Sequence, residues 1–300
     1  MAEVWVLGSA AWDHVYEVDR LPAAGSTATA RDLGRRAGGS TANVARGLGS
    51  AGHRVRLVAQ VGADDLGAAL LDELAASGVL TDHVLRHGTC TPQTLIFIDA
   101  SGERSIVVLE TQCGEKVPVP YEAMAAADTV YVGWFGDYGP QLLEFLRRST
   151  ALVVTAVPPA NGDDWYAHVV VGSESEFPAA WLAAPYEELR RRVGPQLRWV
   201  VVTRGERGAG AYGPAGVVRI PPVVTEVADT TGAGDSFTAG LLHGLLEGED
   251  MATAGRLGAY WAAAALPLAQ SVPPGWEELG LGDAHGDWAG RLGDHAGRMP

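Results

Sequence analysis

Cysteine is nearly absent from this chain, with only Cys90 and Cys113 among 300 residues, and the pair stands in no CxxC or other metal spacing. That argues against a disulfide framework and against a cysteine-held metal, and it leads us to expect reduced thiols in a cytoplasmic protein. Positive charge is also scarce. Lys plus Arg number 22 against 36 for Asp plus Glu, a net charge of −14, so the chain has no electrostatic basis for binding nucleic acid or an anionic membrane. No apolar run approaches the ~18 residues of a membrane span. The start, MAEVWVLGSAAWD, lacks a basic region followed by a long apolar core, so secretion is not expected. Val6 to Val15 holds no GxGxxG, which speaks against a dinucleotide dehydrogenase. The eight histidines are scattered.

What is present is apolar and glycine-punctuated. At 47% hydrophobic content the chain can bury a large core, as one α/β domain or two smaller ones. Its organising stretch is VADTTGAGDSFTAGLLHGLLE, Val227 to Glu247. A strand end over Val223 to Ala228 is expected to pass through Asp229-Thr230-Thr231 and the bend Gly232-Ala233-Gly234 into a helix headed by Asp235. Phe237, Leu241 and Leu245 recur there at i, i+4 and i+8. Glycines at a helix start let an anion approach unpaired backbone N–H groups at the positive end of the dipole. A carboxylate in such a seat repels phosphate, so Asp235 makes chemical sense where an attacking hydroxyl must lose a proton; the simpler reading is an ordinary helix cap.

The first half carries a second constellation. Val4 to Leu7, ending in Gly8, reads as a buried strand, and Asp13 follows it where an open parallel sheet places its ligand crevice. Gly38-Gly39-Ser40-Thr41-Ala42-Asn43 opens a helix. The Gly-Gly pair lets backbone run against a ligand, and Asn43 can both donate to and accept from polyol hydroxyls. A strand to Val61 and a helix from Leu66 to Ser77, capped by Asp64-Asp65, continue a strand-helix alternation that indicates a parallel sheet. Further strands are expected at Thr129 to Val132, Leu152 to Val157, Val169 to Val171 and Trp199 to Thr203. Asp250 is expected to cap a helix from Met251 to about Ala265.

DTTGAGDSFTAGLL resembles the second signature of the ribokinase-like, or PfkB-type, carbohydrate kinases. GGSTANVARGLGSAGHRVRLVAQVGADDLG resembles the first, about 190 residues upstream. The resemblance implies a ribokinase-like three-layer sandwich: a mostly parallel central sheet flanked by helices, in one domain over 1–300. A small β-sheet lid comes from about 14–37 and 92–112, including the hairpin turn Asp99 to Gly102; an edge hairpin of the main sheet is the alternative. The glycine-rich end, 275–300, is expected to be loosely ordered.

The same resemblance implies roles. Asp235 is the general base, with the amides of Ala233, Gly234 and Asp235, after Gly232, as an anion hole. Asp13, Gly38, Gly39 and Asn43 hold the sugar. Glu176 organises Mg²⁺ through water, with Ser173 standing where the family usually has asparagine, although Glu176 also reads as a carboxylate merely complementing a helix start. Thr203, Gly205 and Gly208 match the family's Thr-x-Gly-x-x-Gly nucleotide loop, or else form a simple hairpin. Asp229 and Thr231 fall where a monovalent cation, K⁺, would sit; the loop from Leu266 to Pro273 departs from the family pattern. The implied activity is ATP-dependent phosphorylation of a hydroxymethyl group on a ribose- or fructose-type sugar, by a homodimer formed through the lid. A nucleoside kinase, with Trp12, Trp134, Phe135 and Tyr138 available to stack on a base, and a non-catalytic sugar sensor are the rival readings.

Overall fold

A computed structural model describes residues 1–100, 102, 104–109, 117–133, 138–158, 165–268 and 271–294. The first third runs β1 Glu3–Leu7, β2 Ala11–Val18, β3 Ala30–Gly38, α1 Ser40–Ser50, β4 Arg54–Val58, β5 Gln60–Val61, α2 Asp65–Ala76, β6 Val79–Leu80, β7 Leu85–Arg86, β8 Gln93–Ile98 and β9 Arg104–Val108. The middle runs α3 Tyr121–Met124, β10 Thr129–Val132, α4 Pro140–Arg148, β11 Leu152–Thr155, β12 Val169–Ser173, α5 Pro185–Val193 and β13 Trp199–Thr203. Then follow β14 Ala209–Gly213, β15 Gly216–Ile220, α6 Ala233–Leu246, α7 Met251–Ala265 and α8 Trp288–Asp294.

Among the described residues the main sheet has nine strands, ordered β15-β14-β13-β12-β11-β10-β1-β4-β6. Every pairing is parallel from β13 to β6, and β14 and β15 add an antiparallel edge. Both faces are covered, and β1 shows why: Val4 and Val6 enter one core with Val44 and Leu48 of α1 and Leu241 of α6. Trp5 and Leu7 enter the other, with Met124 of α3 and Leu142 and Leu146 of α4. A strand buried on both sides must be apolar throughout, which is how β1 reads. Among the described residues no helix is long and apolar enough to cross a membrane.

Helix α6 is buried from Ser236 to Gly244 and packs through small residues. A Cβ on Gly240 would lie 2.9 Å from Gly258 Cα of α7, and one on Gly244 would lie 2.6 Å from Ala254 Cα. On the other side a Cβ on Gly47 of α1 would come within 2.6 Å of Ala239 Cβ. Close approach on two sides fixes the helix, and with it the position of Asp235 in its first turn.

A second sheet, ordered β3-β2-β8-β9, forms the lid. It begins earlier than expected, at Ala11, and therefore takes Asp13 into β2 instead of leaving it in a loop after β1. Val223 to Ala228 contributes one bridge residue, Val224, and no strand; Pro221 and Pro222 ahead of it have no N–H to donate to a ladder. The end of the chain corrects a third expectation. Trp276, Leu279, Leu281, Trp288 and Leu292 are buried against Tyr260 and Trp261 of α7, and Trp261 Nε1 donates to Pro274 O at 2.9 Å. Two tryptophans supply the apolar area that the glycine-rich composition concealed. Residues 295–300 lie outside the described residues, as do Cys113, Trp134 and Phe135.

Candidate active site

The N-terminal turns of α1 and α6 converge. Gly39 precedes α1 at φ 91° and Gly232 precedes α6 at φ 77°, both in the left-handed region that glycine tolerates. Close contact adds a second reason for glycine at two positions, where a Cβ on Gly39 would lie 2.8 Å from Ala10 Cα and one on Gly232 2.2 Å from Ser271 O, and it is the reason at Gly38, whose Cβ would lie 2.1 Å from Asp13 Oδ2. Gly234 differs. A Cβ there would meet nothing within 4 Å, so the helix start is open on that side, as a docking anion requires. Of the three amides expected in the anion hole, that of Ala233 turns back to Thr230 O at 3.4 Å. The amides of Gly234 and Asp235 have no backbone acceptor among the described residues.

Asp235 is held by α1. Ser40 Oγ donates to its Oδ1 at 2.6 Å and Asn43 Nδ2 donates to its Oδ2 at 2.8 Å. The other Asn43 Nδ2 proton goes to Ser271 O at 2.9 Å. Asn43 Oδ1 is buried without a partner among the described residues, an acceptor facing no donor that the protein supplies. Burial raises the Asp235 pKa from 3.8 to about 6, against the lowering pull of Ser40 and Asn43 and with help from the charges of Glu176 and Asp13. That is closer to neutrality than the value of an ordinary aspartate. Asp13 is likewise raised to about 6 by burial, against the pull of Ser271 and Arg36. Tyr131 of β10, fully packed nearby, is pushed up by burial and by the charges of Asp235 and Glu176.

Glu176 lies in a single 3-10 turn, Glu174–Glu176, after β12. Its Oε2 accepts from Ser173 N at 2.7 Å in a capping box, the simpler of its two expected roles. Ser173 Oγ faces Ser175 Oγ at 3.0 Å, within its own turn. Thr203 ends β13 with Oγ1 donating to Gly172 O at 3.4 Å. The turn beyond it has positive φ at Gly205 and Gly208 and returns as the β13-β14 hairpin, so the hairpin geometry is present at the expected nucleotide loop. Arg204 and Arg207 both pair with Glu174 there. The neighbouring carboxylates Glu176 and Asp235 are hard oxygen donors of the kind a hydrated Mg²⁺ takes, and the open Gly234 side fits a phosphate.

The expected K⁺ position does not fit an alkali ion. Both oxygens of Asp229 are engaged, Oδ2 by Arg36 Nη1 at 2.9 Å and Oδ1 by Thr231 N at 2.8 Å. Sequence reasoning missed Arg36, Ser40 and Ser271. A serine directly after Gly-Gly at a helix start was a visible signal for Ser40; Arg36 and Ser271 reach the site only through tertiary folding. Of the aromatics offered as a base platform, Trp12 is buried and donates Nε1 to Leu66 O at 2.8 Å. Tyr138 is buried too, its hydroxyl donating to Val58 O at 2.9 Å.

A mostly parallel α/β sheet that sets an open helix start beside a buried carboxylate of raised pKa is an arrangement suited to phosphoryl transfer to an alcohol. Residues 1–271 match the model of the pfkB family carbohydrate kinases. The chain is 27% identical to a ribokinase of Bacillus subtilis over 262 residues, covering 85% of this chain and 89% of that one. It is 30% identical to an ATP-dependent ribose-1-phosphate kinase of Halopiger xanaduensis over 254 residues, covering 81% and 84%. Its fold superposes on the crystal structure of a ribokinase from Thermotoga maritima with TM-score 0.79 at 22% identity, over 93% of this chain and 98% of that one. This chain belongs to the PfkB family of carbohydrate kinases, ATP-using phosphotransferases with an alcohol group as acceptor.

Proposed function

We propose that this kinase transfers the γ-phosphoryl group of ATP to the hydroxymethyl group of a ribose- or fructose-type sugar. The observation that carries this is the pairing of Asn43 with Asp235, because it brings the side-chain amide that follows the Gly-Gly turn against the proton acceptor. Asp13 and the backbone at Gly38 and Gly39 complete the sugar seat; carboxylates and a side-chain amide suit an array of hydroxyl groups. Burial of Trp12 and Tyr138 leaves the base-stacking reading without two of its four aromatics.

Asp235 takes the hydroxyl proton as the alcohol attacks; with a pKa of about 6 it is ionised at neutral pH yet cannot remove the proton beforehand. The amides of Gly234 and Asp235 face the charge that develops on the transferred phosphoryl group. Thr203, Gly205 and Gly208 hold the nucleotide, and Glu176 with Ser173 orients the water around magnesium. Bound Mg·ATP supplies the phosphoryl group and offsets the charge of its oxygens. ATP as donor and few cysteines support operation in the cytoplasm. The outer lid strand β9 exposes Ile106, Val107 and Val108, an apolar edge that supports a homodimer through the lid. Gel filtration of Val108→Asp, expected to elute as a monomer, checks that contact.

The deciding experiment is ADP release across a panel of pentoses, ketohexoses, sugar phosphates and nucleosides. Turnover confined to nucleosides overturns the sugar reading, and none with any alcohol favours a sensor.

A further inference from the structure

Asp229 is 3% exposed, and each oxygen of its carboxylate accepts from a protein donor, Oδ2 from the Arg36 guanidinium. A carboxylate that deep requires a cationic or strongly donating partner. Arg36 provides one, its side chain only 15% exposed, from β3, where it stands directly opposite Asp13 in register and two residues before Gly38. A second arginine, Arg104 of β9, donates to Thr230 Oγ1, so the turn Asp229-Thr230-Thr231 is gripped from both outer strands of the lid. That turn runs directly into the helix start whose amides face the phosphoryl group. Thr231 Oγ1 is buried without a partner among the described residues, yet one neutral hydroxyl cannot offset the repulsion between an alkali ion and the adjacent guanidinium.

We propose that Arg36 is a built-in cation: it holds the Asp229 carboxylate in place of a bound monovalent ion, so that this enzyme needs no potassium. Arg36 is then a positioning residue, acting on the transferred group only through the Asp229 turn and the α6 amides. Unlike a diffusing ion, its charge is always present and is tied to the same strand that faces the sugar-binding aspartate.

The proposal rests on the kinase reading only where turnover is concerned, so the test has two arms. Full-length protein is dialysed into tetramethylammonium chloride, then compared with KCl and RbCl at equal ionic strength by thermal unfolding and by ADP release. The wild type is expected to show the same midpoint in all three salts and a rate constant to within about twofold. Arg36→Ala is expected to lose at least about tenfold in kcat/KM in tetramethylammonium, as one half of a buried ion pair is removed. It should also gain a rise in midpoint specific to K⁺ and Rb⁺, while Arg36→Lys keeps the wild-type indifference. A wild type that K⁺ stabilises or activates overturns the proposal, and so does an Arg36→Ala protein indifferent to K⁺. Should Arg36→Ala not fold, the wild type and Arg36→Lys still decide it. Absence of ADP release with every alcohol would count against the kinase reading and leave the midpoint arm intact.

Discussion

The side-chain amide of Asn43 donates to the carboxylate of Asp235 at 2.8 Å across 192 positions of sequence, and that contact joins the two signatures into one site. Asp235→Asn removes the proton acceptor while leaving the Gly234 amide and the nucleotide loop in place. The expected result is a fall in kcat of at least ~10²-fold, the lower end for loss of a general base, with ADP affinity by calorimetry largely kept. Stability should move the other way. Because burial raises Asp235 from 3.8 to about 6, its ionised form costs the fold stability above pH 6, and the cost vanishes below 3.8. The variant should therefore melt higher than wild type at neutral pH, with the gain closing as pH falls toward 4.

Turnover should carry an acid limb from the same groups. Asp13 and Asp235 are each raised to about 6 and each is raised by neighbouring carboxylates, so the apparent pKa belongs to the cluster and not to one residue. The expected profile of kcat/KM is flat above neutrality and falls by up to about tenfold per pH unit below 6. A rate that holds level down to pH 5 would contradict a buried carboxylate base.

Much of this site could be read before any fold was known, because it is built from local rules. Glycines at helix starts, an aspartate after them and a strand-helix alternation are consequences of backbone geometry, and they put Gly39 and Gly232 at the heads of two helices with Asn43 and Asp235 in the turns that follow, as the structure has them. What could not be read depends on which distant strand folds over which turn. Arg36 sits in a polar strand of nine residues, and nothing nearby in sequence says that its guanidinium ends on Asp229. The buried C-terminal segment was hidden for a different reason. Glycine counts describe chain entropy, whereas Trp276 and Trp288 contribute area that composition averages away.

That segment also brings a pair of buried histidines into play. Ala2 N donates to His53 Nδ1 at 3.2 Å, so His53 Nε2 carries the proton it shares with His243 Nδ1 at 2.8 Å; this tautomer leaves His53 no lone pair for a metal. His285 and Glu247 pack beside them. Burial lowers His53 from 6.5 to about 4 and also lowers His243, so the unfolded chain takes up protons before the folded one does. The contribution is intact above 6.5 and is lost as pH falls toward 4. Measured as the difference in unfolding free energy between wild type and the His53→Asn/His243→Asn double variant, which share every other titrating group, it should shrink over that range. A pH-independent difference would show that the pair does not titrate as buried neutral imidazoles.

Gly38 offers the sharpest separation of binding from folding. An added Cβ would overlap Asp13 Oδ2 at 2.1 Å, and the atoms it meets belong to a side chain and not to the backbone, so Gly38→Ala can be accommodated by swinging the carboxylate away. That movement costs the sugar seat its strongest acceptor while the Asn43 and Asp235 pair, on other elements, stays put. The expected outcome is a rise in KM for the sugar of at least about tenfold, as when a hydrogen bond to a charged group is lost, with KM for ATP unchanged. Overpacking relieved by movement of one side chain should cost about 1–3 kcal/mol, so the variant should fold. Steady-state kinetics with each substrate varied in turn checks the split. Equal losses for sugar and nucleotide would mean that the carboxylate under Gly38 does not bind the acceptor.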